Sequence, residues 1–179
     1  MGLPIALHST SVGAAISGPP TSSGYPSSYF EYHNIVPTIY MEHLNSLICE
    51  GVFEKFPDLA FILTEGGVGW LPHLMWRMDK NYKTLSEQTP WLDQLPSQYV
   101  LEHVRFTQQP IEEPKKPEHL KQIYDMIHAE KVLMFSSDYP HWDGDYHEID
   151  ALPGMPSLSD SQTRSIMYEN ASDLYNLPS

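Results

Sequence analysis

The sequence predicts a parallel α/β fold, and two observations indicate it. Short apolar runs without strict alternation recur along the chain, and each ends in polar residues; such runs are typical of strands buried on both faces. Segments with apolar residues at helical spacing lie between the runs. Strand alternating with helix is the pattern of a parallel sheet covered by helices. We therefore expect residues 1–179 to form one α/β domain.

The predicted elements follow one another in that order. The apolar runs predict strands at residues 5–7, 59–63, 104–106 and 132–135. Helical spacing predicts helices at residues 35–53, 71–82, 119–128 and 161–168. Residues 17–28, rich in Pro, Gly and Ser, and residues 110–117 are predicted loops. Both loops follow a strand, which is the side where α/β barrels carry their functional loops.

Composition narrows the class of partner and the compartment. Ten basic and twenty-three acidic residues give a net charge of −13, which argues against nucleic acid or an anionic membrane surface as partner. The sequence shows neither a secretory signal nor an apolar stretch of membrane-spanning length. Cys49 is the single cysteine, so we expect a structural thiol in a cytoplasmic protein.

Residues capable of binding a metal or moving a proton follow three of the predicted strands. They are His8, Glu65 and Asp138. Because the carboxyl ends of parallel strands meet on one face, these side chains are expected to converge there. Each residue also has a simpler interpretation, since a histidine at this position is often structural and an aspartate often caps the next helix.

Four segments carry more specific motifs. They are residues 5–8 (IALH), 56–79 (with TEGG and GWLP), 133–143 (with SSDYPHWD) and 170–177 (NASDLYNL). In order and spacing they resemble the fifth, sixth and eighth strands and the closing segment of the amidohydrolase-related, ACMSD-like family of metal-dependent (β/α)8-barrel enzymes. The resemblance implies that the chain is the C-terminal half of a TIM barrel, with strands five to eight and their helices.

The resemblance also implies roles for the residues at the strand ends. His8 and Asp138 match metal ligands of the family, which implies a divalent ion, zinc or alternatively manganese. Glu65 stands where the decarboxylase branch carries an acid/base histidine, so Glu65 is the predicted proton shuttle. His141 would contact the substrate or orient water at the metal; a helix-cap or surface role is the alternative.

Three residues of the segment after the sixth-strand motif are predicted substrate contacts. Trp70 and His73 begin the following helix, near the expected pocket mouth. Arg77 matches an arginine that reaches a substrate carboxylate in decarboxylase relatives, in some cases across a dimer; the alternative is a surface ion pair with Asp79 or Glu42. The remaining histidines are interpreted as ordinary helix or loop residues, namely His33, His43, His103, His119, His128 and His147.

Two hypotheses about function follow. In the first, the chain is part of a metal-dependent hydrolase or non-oxidative decarboxylase that acts on a small, carboxylated substrate. The family's first strand supplies two further metal ligands, whereas seven residues precede His8 in this sequence. The second hypothesis is therefore a truncated or split half-barrel without activity, which assembles as a homodimer or with a complementing chain because its outer strands would otherwise stay unpaired.

Overall fold

The computed structural model describes residues 3–8, 22–141 and 158–177. Within them, four strands form a parallel sheet, β1 (Ile5–His8), β2 (Phe61–Thr64), β3 (Val104–Thr107) and β4 (Leu133–Met134). The helices are α1 (Tyr29–Cys49), α2 (Val52–Lys55), α3 (Leu71–Leu85), α4 (Pro96–His103), α5 (Pro117–Ile127), α6 (Ala129–Val132), α7 (Asp160–Arg164) and α8 (Asn170–Tyr175). A 3-10 turn at Ser86–Gln88 follows α3, and a π-helical turn at Ser165–Glu169 joins α7 to α8.

The strands pair in sequence order, β1-β2-β3-β4, and every pair is parallel. Ile5 pairs with Phe61, Phe61 with Val104, and Phe106 with Leu133. The predicted parallel α/β fold is confirmed. All four carboxyl ends consequently open onto the same edge of the sheet.

Several element boundaries differ from the prediction. The helix predicted at residues 35–53 begins at Tyr29 and ends at Cys49, and the separate helix α2 follows it. The helix predicted at residues 161–168 ends as α7 at Arg164, after which the π-helical turn begins. Val132 ends α6 instead of opening a strand, and Leu59 precedes β2. The apolar run alone cannot separate the last helical turn from the strand it leads into. The helix α4 was not predicted, because its eight residues are too few to show a clear period. Residues 17–21 of the first predicted loop lie outside the described residues, whereas residues 110–116 form the second loop before α5.

The core lies between the sheet and the helices. Its largest fully buried side chains include Tyr40, Phe106, Leu71, Tyr124 and Ile166. Burying an aromatic or branched aliphatic side chain contributes about 1.5–3 kcal/mol of transfer free energy. The core therefore fixes the strands whose ends carry the predicted site. Among the described residues, no helix combines the length and apolarity needed to cross a membrane.

The two outer strands are covered differently. At β4, the carbonyl oxygen of Leu133 accepts a hydrogen bond of 2.7 Å from the side-chain nitrogen of Asn170. The amide of Phe135, just beyond this strand, donates to the carbonyl of Ile166 at 2.9 Å. At β1, the side chain of Ile5 is 50% exposed, and Leu3 before it is 74% exposed.

Candidate functional site

A cavity of about 490 Å³ lies at the carboxyl ends of the strands. His8 from β1 lines it, together with Glu65 after β2 and both Asp138 and His141 after β4. The structure therefore brings together the four residues that the sequence predicted as metal ligands or catalytic groups. This is the edge at which parallel α/β proteins bind their ligands.

Two imidazole–carboxylate pairs organise the cavity. His8 Nε2 lies 2.8 Å from Glu65 Oε1, and His141 Nδ1 lies 2.9 Å from Asp138 Oδ1. The side chain of Asp138 is 8% exposed, whereas that of His141 is 61% exposed. A carboxylate beside an imidazole fixes the orientation of the ring. Each of the two carboxylates thus has an imidazole nitrogen within hydrogen-bonding distance.

Both site carboxylates stand on unusual backbone. Glu65 has a φ of 64° and Asp138 a φ of 55°, so both residues are in the left-handed region. A non-glycine residue held in this region costs about 1–3 kcal/mol, and aspartate tolerates it better than glutamate does. Such a conformation persists where surrounding contacts hold it. For Glu65, three side chains make these contacts.

Side chains from three elements hold the backbone around Glu65. The amide of Glu65 donates to Thr107 Oγ1 on β3 at 3.0 Å. The hydroxyl of Tyr40 on α1 donates to the carbonyl oxygen of Thr64. The indole nitrogen of Trp70, at the start of α3, donates to the carbonyl oxygen of Gly66 at 2.8 Å. These side chains hold the loop in addition to its own backbone hydrogen bond from the Leu71 amide to the Val68 carbonyl, at 3.0 Å.

The carboxylate of Glu112, in the loop after β3, holds the same loop further along. It accepts hydrogen bonds from the amides of Val68 at 3.0 Å and Gly69 at 2.9 Å. Glu112 also lines the cavity. The sequence indicated nothing for this residue beyond a charged loop, because its partners are more than forty residues away.

The three predicted substrate contacts lie outside the cavity lining. Trp70 packs edge-on against Phe106, with ring centroids 6.0 Å apart. His73 and Arg77 are exposed on α3. Among the described residues, Arg77 forms neither of the alternative ion pairs, with Asp79 or with Glu42. Asp79 accepts two hydrogen bonds from Ser97, at 2.9 and 2.7 Å.

One residue that the sequence analysis interpreted as ordinary does line the cavity. His33, on α1, lies on the wall with Tyr29 and Tyr32, and its ring centroid is 5.3 Å from that of Tyr29. The signal available in the sequence was the spacing of these residues, which places all three on neighbouring positions at the start of one helix. His103 does have a structural environment, with its ring stacked on Phe53 at 4.7 Å.

The donor atoms at the strand ends fit a divalent metal ion. Glu65, Asp138 and His141 each offer one ligand atom, and these atoms lie within 4.8 Å of one another. Two carboxylate oxygens with one imidazole nitrogen suit zinc and manganese alike. His8 Nε2 contacts Glu65 directly, so a fourth donor of the same kind adjoins the cluster.

A second cavity, of about 300 Å³, lies at the opposite end of the sheet and has a different character. Arg105, Asp58 and Asp173 line it with Leu3 and Asn170. Burial lowers the pKa of Arg105, and the nearby charge of Asp173 opposes that shift. The Arg105 guanidinium donates to the carbonyl oxygen of Val104 at 2.9 Å. The amino ends of barrel strands contribute to stability rather than to chemistry, and this cavity fits that description.

The chain matches the model of a known protein family. The family model described as amidohydrolase matches residues 1–177. No curated protein matches the chain in sequence.

Several solved structures resemble the chain. A dihydroxybenzoic acid decarboxylase from Polaromonas sp. JS666, with bound manganese and 2-nitroresorcinol, has a TM-score of 0.67 and 22% identity over 98% of this chain and 50% of that one. 5-Carboxyvanillate decarboxylase from Sphingomonas paucimobilis has a TM-score of 0.64 and 20% identity, over 99% of this chain and 50% of that one. An amidohydrolase from Mycobacterium avium subsp. paratuberculosis K-10 has a TM-score of 0.66 and 22% identity, over 82% and 36%.

The chain thus spans half or less of the length of each of these three structures. At such identities the likeness shows the fold alone. The chain has the fold of the corresponding part of an amidohydrolase barrel.

Proposed function

The chain belongs to the amidohydrolase family, and on that premise we propose that it carries active-site residues of a metal-dependent hydrolase or non-oxidative decarboxylase. The proposed substrate is small and carboxylated. One observation carries the proposal: Glu65, Asp138 and His141 present ligand atoms within 4.8 Å of one another, in a cavity at the carboxyl ends of the strands.

The proposed metal ligands are His8 and Asp138, with Glu65 and His141 as the nearest further donors. When bound, a divalent ion supplies Lewis acidity at this edge of the sheet. Zinc is the ion that the sequence resemblance favours; manganese is supported by its presence in the decarboxylase structure from Polaromonas. Asp138 is the central ligand in this proposal, because its side chain is the most buried of the three in the cluster.

Glu65 is the proposed acid/base group. Its carboxylate faces the cavity with Oε1 beside His8 Nε2, so it can accept a proton from the substrate or return one. The left-handed backbone at Glu65 and the hydrogen bond from its amide to Thr107 hold the carboxylate at the cavity. His141, paired with Asp138, is proposed to orient the substrate or a water molecule.

The predicted contacts of Trp70, His73 and Arg77 with the substrate remain proposals, and none of the three residues lines the cavity. Trp70 acts on the site through its hydrogen bond to Gly66. His73 and Arg77 are exposed on α3. The proposed contact of His73 is at the pocket mouth, and that of Arg77 is with a substrate held in a second copy of the chain. The proposed compartment is the cytoplasm, since Cys49 is the single cysteine of the sequence.

Metal binding by the purified chain tests the proposal. Calorimetry with Mn²⁺ and with Zn²⁺ should show saturable binding of one ion per chain. Asp138→Asn should weaken binding by about 10-fold or more, because it removes a charged ligand from a multi-donor site. Asp125→Asn, on the exposed face of α5, is the control and should bind as the unmodified chain does. Absence of binding, or equal binding by Asp138→Asn, would contradict the proposal.

A second candidate function is assembly, and the exposure of β1 favours it. On this outer strand Ile5 is 50% exposed, and Leu3 just before it is 74% exposed, although both side chains are apolar. An edge strand of this kind is a surface on which another chain can pair. We propose that a second copy or a complementing half-barrel covers β1. Sedimentation of the 179-residue chain supports this if it shows a dimer, and a compact monomer at micromolar concentration contradicts it.

A further inference from the structure

We propose that Glu112 is a positioning residue, which holds the loop after β2 so that the Glu65 carboxylate stays at the cavity. The inference rests on the proposed function, in which Glu65 is the acid/base group. It concerns a residue from a different loop, after β3, which no motif in the sequence connected with the site.

The first step is the geometry of the contact. The two carboxylate oxygens of Glu112 are divided between two successive amides, with Oε2 accepting from Val68 at 3.0 Å and Oε1 from Gly69 at 2.9 Å. Hydrogen bonds to an ionised carboxylate are roughly twice as strong as those between neutral groups. Both oxygens are therefore engaged in holding backbone, so the contact defines a structural partner rather than a proton donor.

The second step is the shape of the loop. A Cβ atom at Gly67 would lie 2.6 Å from Glu112 Oε1, and one at Gly69 would lie 3.0 Å from the same atom. Gly67 also has a φ of 60°, which glycine adopts without steric cost. Two glycines in this loop thus make room for the Glu112 carboxylate, which approaches the backbone closely.

The third step connects this contact to Glu65. The loop is held at the Glu65 amide by Thr107 Oγ1, at the Gly66 carbonyl by the Trp70 indole, and at the amides of Val68 and Gly69 by Glu112. Under these contacts Glu65 keeps a φ of 64°, which a free glutamate rarely adopts. Loss of the Glu112 contact frees the part of the loop after Gly66, and we expect the strained backbone to relax so that the carboxylate moves away from His8 Nε2, which lies 2.8 Å from it.

The test compares Glu112→Gln with Glu113→Gln. Glu113 is the exposed neighbour in the same loop, so this control makes the same change of charge one residue away. Glutamine at 112 retains one acceptor oxygen but turns an amide group towards a backbone N–H. Glu112→Ala removes both acceptors and extends the series if it folds.

The direct readout is the position of Glu65, detected at His8. In ¹⁵N spectra of the imidazole, the His8 Nε2 signal should shift in Glu112→Gln towards its value in Glu65→Gln, and should stay unchanged in Glu113→Gln. Hydrogen exchange at Val68 and Gly69 should be faster in Glu112→Gln alone. Faster exchange with an unmoved His8 signal would show that Glu112 serves folding only, and would overturn the inference.

The second readout is the dissociation constant for Mn²⁺ alone. Loss of a partner outside the ligand set typically weakens metal binding 10–100-fold, so we expect about a 10-fold increase for Glu112→Gln, with the thermal midpoint close to that of Glu113→Gln. An unchanged constant in a chain that binds Mn²⁺ would overturn the role of Glu112 while leaving the proposed function intact. If the unmodified chain binds no metal, the proposed function fails, and the His8 signal alone then decides on Glu112.

Discussion

The two outer strands of the sheet, β1 and β4, differ in how the described chain covers them. At β4, the side chain of Asn170 pairs with the Leu133 carbonyl, and the carbonyl of Ile166 pairs with the amide of Phe135. At β1, Ile5 remains half exposed. One edge is therefore closed by the C-terminal helical segment, whereas the other presents apolar surface.

This difference means that the site residues at the two edges are held in position by different contacts. Met134 ends β4, and Asp138 follows four residues later, so the contacts of Ile166 and Asn170 fix the strand that leads to a proposed metal ligand. His8 is the last residue of β1 and contacts Glu65, so its position depends on pairing with β2 alone among the described strands. We expect mutations at the β4 edge to affect stability, and mutations at the β1 edge to affect association.

The largest expected effect comes from a matched pair of isoleucines. Ile166→Ala should lower the free energy of unfolding by about 2–5 kcal/mol, because Ile166 is fully buried and the change leaves a cavity. Ile5→Ala should lower it by less than about 1 kcal/mol, since half of that side chain already contacts solvent. Urea denaturation of both variants measures the difference. Equal losses would show that β1 is as well packed as β4.

A smaller effect is expected at Asn170. Asn170→Ala should lower the free energy of unfolding by about 1–3 kcal/mol, because it leaves the Leu133 carbonyl, on a buried residue, without this hydrogen bond. Asn81→Ala, on the exposed face of α3, is the control and should change stability little. The same denaturation series gives both values. A loss at Asn170 no greater than that at Asn81 would mean that the hydrogen bond does not hold β4 closed.

The smallest effect on folding is expected for a charge placed on the open edge. Ile5→Lys should leave the thermal midpoint nearly unchanged, because position 5 is half exposed, but it should shift a dimer towards the monomer, since a lysine on an edge strand opposes pairing with another chain. Sedimentation velocity at several concentrations measures the shift. Lys55→Glu, at the end of α2, tests for a general effect of charge. An unaltered dimer in Ile5→Lys would place the interface elsewhere.

The residues at the strand ends were predictable, and those on the walls of the cavity were not. Glu65 and Asp138 lie within three residues of the ends of apolar runs, and the rule that parallel strands end at one edge brings them together. Glu112 and His33 also line the cavity. The sequence placed the loop of Glu112 on the functional side of the sheet, but no local pattern singled out either residue within its loop or helix. The bond between Glu112 and Val68 joins residues 44 positions apart.

By itself, the sequence determined the parallel α/β class, the order of the strands and the residues that close each one. These features depend on local patterns, namely the length of apolar runs, helical spacing and the polar residue at each strand end. The tertiary structure alone decided that His8 pairs with Glu65 and that Glu112 holds the loop after β2. It also decided that the C-terminal segment covers β4 and that Ile5, on β1, stays half exposed. These contacts join residues far apart along the chain, so they depend on how the elements pack against one another, which local sequence patterns do not encode.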